Sequence, residues 1–352
     1  MRIAFIIYGD INTLSGGYLY DRKLIEHLRA QGEEVDIISL GKPAYLKALM
    51  RNVVPPKLLN HNYDLIIQDE LAHPTCLPIN KALKRLQITP VIALVHLFSA
   101  FIPSLTLTQT VRAFVEKRYI QTLDGLILNS QSTLKQAMQL SNHKLPPHLV
   151  ALPCGDNFSD DEIRQDKKHN SGQLKILFVG NLSRQKGLHV LLRAVNMLKD
   201  KTISLTIAGR EDLDKDYAKQ QKDFVQKQGL SAMVTFRGPL IGESLRTLYQ
   251  QHDVFVMPSE NEAYGIVYLE AMQFGLPAIG TRTGGGREII EHEKNGFLLP
   301  PEDSISLARI LEKLLQDNKC LEELSKRARH SYQSHPRWQE SCKKIHDFLK
   351  TF

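Results

Sequence analysis

The sequence contains no run of about 20 uninterrupted apolar residues, so no segment reads as a helix able to cross a bilayer. It has only four cysteines, Cys76, Cys154, Cys320 and Cys342, far apart, with no C-x-x-C pair and no histidine at zinc spacing. Their scarcity excludes a disulfide framework and a zinc ribbon, and leaves reduced thiols of the kind a cytosolic protein carries. The fingerprint G-x-G-x-x-G is missing, which weighs against a nicotinamide-dependent oxidoreductase. The first residues, MRIAFIIYGD, lack the apolar core and small-residue cleavage site of a secretory leader and read as a strand beginning almost at the initiator. No short repeat or low-complexity tract is present. The expected location is the cytoplasm.

What is present is an ordinary globular composition, 42% hydrophobic and 24% charged, over 352 residues. That length exceeds what one hydrophobic core usually supports, so two domains of roughly 150 residues are expected. The net charge of +7 and pI near 9.1 favour anionic partners. Nucleotide diphosphates, anionic lipid surfaces and nucleic acid fit that charge equally well.

Apolar runs rich in Val, Ile and Leu recur as strands: RIAFIIYG, EVDIISL, YDLIIQDE, VIALVHLF, GLILNS and HLVALP. Between them, stretches such as Tyr20 to Gln31 repeat leucine and isoleucine at helical spacing until Gly32 ends the run. The pattern restarts with KILFVGN, ISLTIAG, MVTFRG, VFVMPS and PAIGT as strands and with GLHVLLRAVNMLK and IVYLEAMQFG as helices. Strands alternating with helices predict two parallel, doubly wound α/β sheets. Residues 159–173, SDDEIRQDKKHNSGQ, are polar and aperiodic and read as a linker. The expected layout is a first domain over 1–158, a second over 174–335, and a terminal helix over about 336–352 returning to the first. Two such domains would face each other across a cleft lined by the carboxyl ends of both sheets.

The densest chemistry lies between Pro258 and Ile289. Glu262 and Glu270 are separated by seven residues, with Ala263, Tyr264, Gly265 and Ile266 expected to open a helix directly after the first carboxylate. The free N–H groups and positive dipole end of that helix would suit a phosphate. Glu262 would hydrogen-bond sugar hydroxyls and Glu270, just over two turns on, a ribose. Upstream, a strand ends at Gly180, followed by Asn181 and by Arg184 and Lys186 ahead of a second helix. In the first half, Ser15, Gly16 and Gly17 stand between a strand and a helix, where backbone amides approach a phosphate closely. His96 ends the strand VIALV, at the carboxyl edge where doubly wound domains place function. A D-x-D at Asp212 and Asp214 sits in a charged stretch and reads as solvated surface rather than a metal site.

Taken together these stretches resemble the retaining GT-B glycosyltransferases of family 4. Their E-x7-E signature, then LEAM, G-x-P and Gly-Gly-x-x-E, stands here as Glu262 and Glu270, Ala271 and Met272, Gly275 and Pro277, and Gly284 to Glu288. The resemblance implies a GT-B fold and transfer of a hexosyl group, with retention, from a UDP- or GDP-sugar. It implies that Lys186 and an arginine neutralise the leaving diphosphate without a metal or other cofactor. Relatives carry that arginine where this chain has Asn181, so Arg184 is the candidate replacement. It further implies that Gly16, Gly17 and His96 lie near the donor sugar, and that Gly209, Arg210, Arg237 and Gly238 lie near the base. The acceptor is expected to be a saccharide, lipid or small molecule, and no nucleic acid partner is implied. Residues 41–60 form a basic amphipathic segment that suits peripheral contact with an anionic membrane face. The rivals are a nucleotide-sugar-binding protein with impaired turnover and a nicotinamide-dependent oxidoreductase.

Overall fold

In the computed structural model the chain is described over 1–352 except 42, 51–53, 61, 87–88, 103–104, 160–171 and 261, and except the side chains of 59, 60 and 86. It divides into two compact units, Met1–Pro153 with Pro336–Phe352, and Cys154–His335. Most of the expected linker lies outside the described residues. The sequence ends the first domain at Phe158, whereas Cys154–Phe158 go with the second unit. The Phe158 ring packs edge-on against Tyr249 and Phe274 there, at 5.9 and 5.4 Å.

The first unit runs β1 (Arg2–Ile7), α1 (Gly16–Ala30), β2 (Glu34–Ser39), α2 (Tyr45–Leu49), α3 (Pro56–Asn60), β3 (Leu65–Asp69), α4 (His73–Leu86), β4 (Val91–Val95), α5 (Thr106–Ile120), β5 (Gly125–Leu128), α6 (Gln131–Ser141) and β6 (His148–Val150). Its sheet is wholly parallel, in the order β2-β1-β3-β4-β5-β6. Strands β3, β4 and β5 are buried along their whole length, which is why they read as unbroken apolar runs rather than alternating ones.

The second unit runs β7 (Leu174–Val179), α7 (Leu188–Met197), β8 (Ile203–Ala208), α8 (Lys215–Lys227), β9 (Val234–Phe236), α9 (Gly242–Gln251), β10 (Val254–Val256), α10 (Ile266–Gln273), β11 (Ala278–Thr281), β12 (Gly296–Leu299), α11 (Ser304–Gln316) and α12 (Asn318–Gln333). The order β12-β11-β10-β7-β8-β9, all parallel, is the doubly wound arrangement with its topological switch between β7 and β10. The strand β12 was not expected; GFLL has none of the β-branched residues that mark β9, β10 and β11.

The last helix, α13 (Trp338–Leu349), belongs to the first unit, as its amphipathic pattern suggests. Trp338 meets the Tyr20 ring edge-on at 5.3 Å, and His346 Nε2 lies 2.7 Å from Glu33 Oε1. Phe352 packs so closely over Gly125 that a Cβ there would lie 2.7 Å from its ring.

Candidate active site

The switch point of the second sheet lies between the loops that leave β7 and β10, and these loops bring Lys186 and Glu262 together. The chain leaves β7 through Asn181 into a 3₁₀ turn over Arg184–Lys186, and leaves β10 through residues 257–265. The loops are stitched by hydrogen bonds. Ser259 Oγ and the Glu260 amide both donate to the Gln185 carbonyl, at 2.9 and 2.8 Å. Lys186 Nζ then donates to Glu262 Oε2 at 2.6 Å, with side-chain exposures of 25% and 12%. A third loop braces this pair. Glu262 forms a bridge with Gly284, and Gly285 N donates to the Glu262 carbonyl at 2.7 Å. Gly284 has φ +73°, and a Cβ on it would lie 2.2 Å from that carbonyl oxygen, so only glycine fits.

The helix after Glu262 starts later than the sequence suggests. Ala263, Tyr264 and Gly265 form a turn, and α10 begins at Ile266 because Gly265, at φ +99°, caps it. Glu262 is therefore off the helix and does not share a helical face with Glu270. Tyr264 is buried, and burial raises its phenol pKa. Its hydroxyl lies 3.3 Å from His335 Nε2. Glu270 is also buried, with Asn157 Nδ2 donating to one oxygen at 2.6 Å and Tyr249 OH to the other at 2.9 Å. Burial raises its pKa, and the two donors oppose that rise.

The other expected donor contacts fall around the same sheet edge. Gly209 N donates to Gly238 O at 2.8 Å, which joins the loops carrying Arg210 and Arg237. Arg210 forks onto Asp212 at 3.0 and 2.7 Å, while Asp214 caps α8 by accepting from Tyr217 N, so both aspartates of the D-x-D have local duties. Arg184 is 68% exposed, with Glu302 Oε1 at 3.9 Å. Glu302 also draws His189, at 2.6 Å, and Arg193, at 3.6 Å.

The first unit has its own crevice, where β1 and β3 part. Gly17, the second residue of α1 after Gly16, lies against His96, where a Cβ would come 3.2 Å from the imidazole Cδ2. The ring meets Tyr20 edge-on at 5.4 Å, and its Nε2 lies 2.8 Å from Asp21 Oδ1. Asp21, Asp69 and His96 bring ligand-type atoms within 4.8 Å of one another, as do Glu70, His73 and Glu116. A metal at the first cluster would compete with the Asp21–His96 hydrogen bond. Burial opposes charge on His96, yet the Asp21 charge and hydrogen bond, with Asp69 and Glu70, raise its pKa to about 9. Asp69, buried and beside Asp21, is pushed up to about 7. Sequence reading missed Asp21. Its signal was a carboxylate three and four residues before Leu24 and Ile25, on the core-facing stripe of α1.

Residues 159–331 match the family described as glycosyl transferases group 1. An uncharacterized glycosyltransferase of Methanocaldococcus jannaschii is 41% identical over 143 residues, 40% of this chain and 36% of that protein. A D-inositol 3-phosphate glycosyltransferase of Corynebacterium jeikeium is 33% identical over 248 residues, 67% of this chain and 59% of that protein. The matches thus span less than two thirds of these relatives' own length. Among solved structures, sucrose-phosphate synthase from Thermosynechococcus elongatus superposes with a TM-score of 0.83 at 22% identity, covering 99% of this chain and 98% of that one. Anabaena HepE in complex with UDP and glucose gives 0.78 at 19% identity, with both chains fully covered. These likenesses establish the GT-B fold.

Proposed function

We propose that the chain, whose residues 159–331 match the glycosyl transferases group 1 family, is an enzyme that moves a hexosyl group from a nucleotide diphosphate sugar to a hydroxyl acceptor. The observation that carries this reading is the Lys186–Glu262 pair at the switch point of the second sheet, 2.6 Å apart and braced by two neighbouring loops. Breaking the bond between the anomeric carbon and the diphosphate gathers negative charge on the leaving oxygens. A fixed lysine, with Arg184 as second cation and the start of α10 at Gly265 and Ile266, offsets that charge without a metal. Glu262, aimed by Lys186, accepts sugar hydroxyls. Each Glu270 oxygen keeps a second lone pair beside Asn157 and Tyr249, so it can still accept from a ribose. Asn181, Gly209, Arg210, Arg237 and Gly238 line the same edge for the nucleotide. In the first unit, Gly16, Gly17 and His96 are assigned to sugar hydroxyls.

Retention of configuration fits an acceptor attacking from the leaving-group side, with the leaving phosphate taking its proton. No carboxylate is assigned as nucleophile. The fold shared with HepE, solved with UDP and glucose, supports a UDP-sugar over GDP-mannose. The acceptor is a saccharide, a lipid or a small molecule, and the basic segment 41–60, of which 42, 51–53 and the side chains of 59 and 60 lie outside the described residues, is assigned to peripheral membrane contact. No described helix is long and apolar enough to cross a membrane. A nucleotide-sugar-binding protein with impaired turnover is the second reading, favoured by the 68% exposure of Arg184 beside Glu302.

A thermal-shift panel tests the assignment. UDP and UDP-sugars should raise Tm in proportion to ligand excess over Kd, and NADH should not. Stabilisation by NADH alone would overturn the reading, and UDP-sugar binding without donor hydrolysis or transfer would favour the binding protein.

A further inference from the structure

Two stretches of the first unit are basic, nearly free of acid, and expose large apolar side chains. Residues 37–63 hold four lysines and arginines and no acid, Lys42 and Arg51 among them lying outside the described residues, and residues 71–123 hold six and a single acid, Glu116. Glu116 is fully buried, where its carboxylate accepts from Ser99 and Ala100. Negative side-chain charge from these two stretches therefore never reaches solvent. On α5, Leu107, Val111 and Phe114 follow at i, i+4 and i+7 and are 77%, 39% and 59% exposed. That spacing puts them on one helical stripe, which ends at i+11 in Arg118, whose guanidinium lies 5.1 Å from the Phe114 ring centre. Leu105, just before the helix, is 80% exposed. Leu46 on α2 and Met50, which caps its C-terminus, stand at i and i+4 and are 69% and 75% exposed.

The two helices belong to one face of the unit. Both pack against α4, and Tyr45 of α2 bonds His73, whose ring lies 6.0 Å from that of Tyr119 of α5. Their inward residues join one core cluster. Exposed apolar residues in such number mark an interaction surface rather than scatter. A protein partner would be expected to meet a mixed-charge rim, and a nucleic acid would leave Leu107 and Phe114 without a role. A bilayer interface carrying anionic headgroups uses both features, because the apolar stripe sinks below headgroup level while lysines and arginines reach phosphate.

We propose that the α2–α5 face of the first unit docks on an anionic lipid surface, with α5 as the inserting element. The proposal rests on the membrane contact assigned above to 41–60 and extends it to α5. It is independent of the donor, since no nucleotide enters the test.

The full chain is sedimented with vesicles of phosphatidylglycerol and phosphatidylcholine, and with phosphatidylcholine alone, at low and high salt. Binding is expected only to the anionic vesicles, with release as salt screens the contact. Leu107→Glu with Phe114→Glu should weaken that binding by about 10²-fold, since two apolar insertions are lost and two like charges added. These side chains are exposed, so Tm should not move. The control Ile305→Glu, on α11 and 55% exposed in the wild type, should bind as wild type does. Wild-type binding by the α5 double variant, with loss in Leu46→Glu with Met50→Glu, overturns the α5 assignment and leaves the 41–60 contact standing. No co-sedimentation at low salt overturns both, as does a dimer of wild type that the α5 variant dissolves.

Discussion

The Asp21–His96 contact makes the stability of the first unit depend on pH in a direction set by the structure. An unpaired histidine titrates near 6.5, and His96 is raised to about 9 by Asp21, Asp69 and Glu70 against the opposing effect of burial. A group whose folded pKa lies above its unfolded value stabilises fully below the unfolded value and loses that contribution as pH rises through the folded one. The stabilisation is therefore complete below pH 6.5 and vanishes above about 9. The shift corresponds to about 3 kcal/mol. Asp69, raised to about 7, acts in the same direction over a lower window, full below about 4 and lost through 7. Asp21→Asn keeps the shape of the side chain and removes the charge that holds the imidazolium. Urea unfolding of wild type and variant between pH 6 and pH 10 should show a stability difference that is largest at pH 6 and shrinks by about 3 kcal/mol as pH passes 9. An imidazole titration followed by NMR should place His96 of the variant well below that of the wild type. A difference that does not change with pH would refute the argument and leave Asp21 a packing residue.

Arg184→Ala should lower kcat by about 10²- to 10³-fold with less effect on donor affinity if Arg184 shares the diphosphate charge. Wild-type turnover in that variant would leave Arg184 to its surface contact with Glu302. Activity should persist in excess EDTA, and loss restored by Mn²⁺ would point to a metal. Gly284→Ala should lower stability by about 1–3 kcal/mol, because its φ of +73° and the Glu262 carbonyl 2.2 Å from the new Cβ leave no room. An unchanged Tm in that variant would contradict the close packing of the two loops.

The fold was legible because buried parallel strands must be written as apolar runs, as β3, β4 and β5 are. GFLL of β12 is no shorter than β9, β10 or β11 but lacks their β-branched residues, so nothing in it marked a strand. The pairing of Lys186 with Glu262 was legible only as two motifs on separate strands, since the hydrogen bonds to the Gln185 carbonyl that join them follow from the strand order β7-β10. The start of α10 was misjudged because a glycine at φ +99° reads in sequence like any residue of a first helical turn. Glu270 was legible as a donor contact through the spacing to Glu262, but its burial was not. Its burial depends on Asn157 and Tyr249, which are 113 and 21 residues away. Asp21 was overlooked because its partner His96 lies 75 residues along the chain.

Lys186 is expected to stabilise charge on a leaving diphosphate. That role is tested by comparing wild type with Lys186→Met, using whichever UDP-sugar gives the largest thermal shift. Donor cleavage or transfer is measured under saturating donor, and UDP affinity separately. In the variant kcat should fall by about 10²- to 10³-fold while UDP affinity changes by about tenfold or less, since the interaction grows in the transition state. Wild-type kcat in Lys186→Met, with UDP still bound, would contradict it.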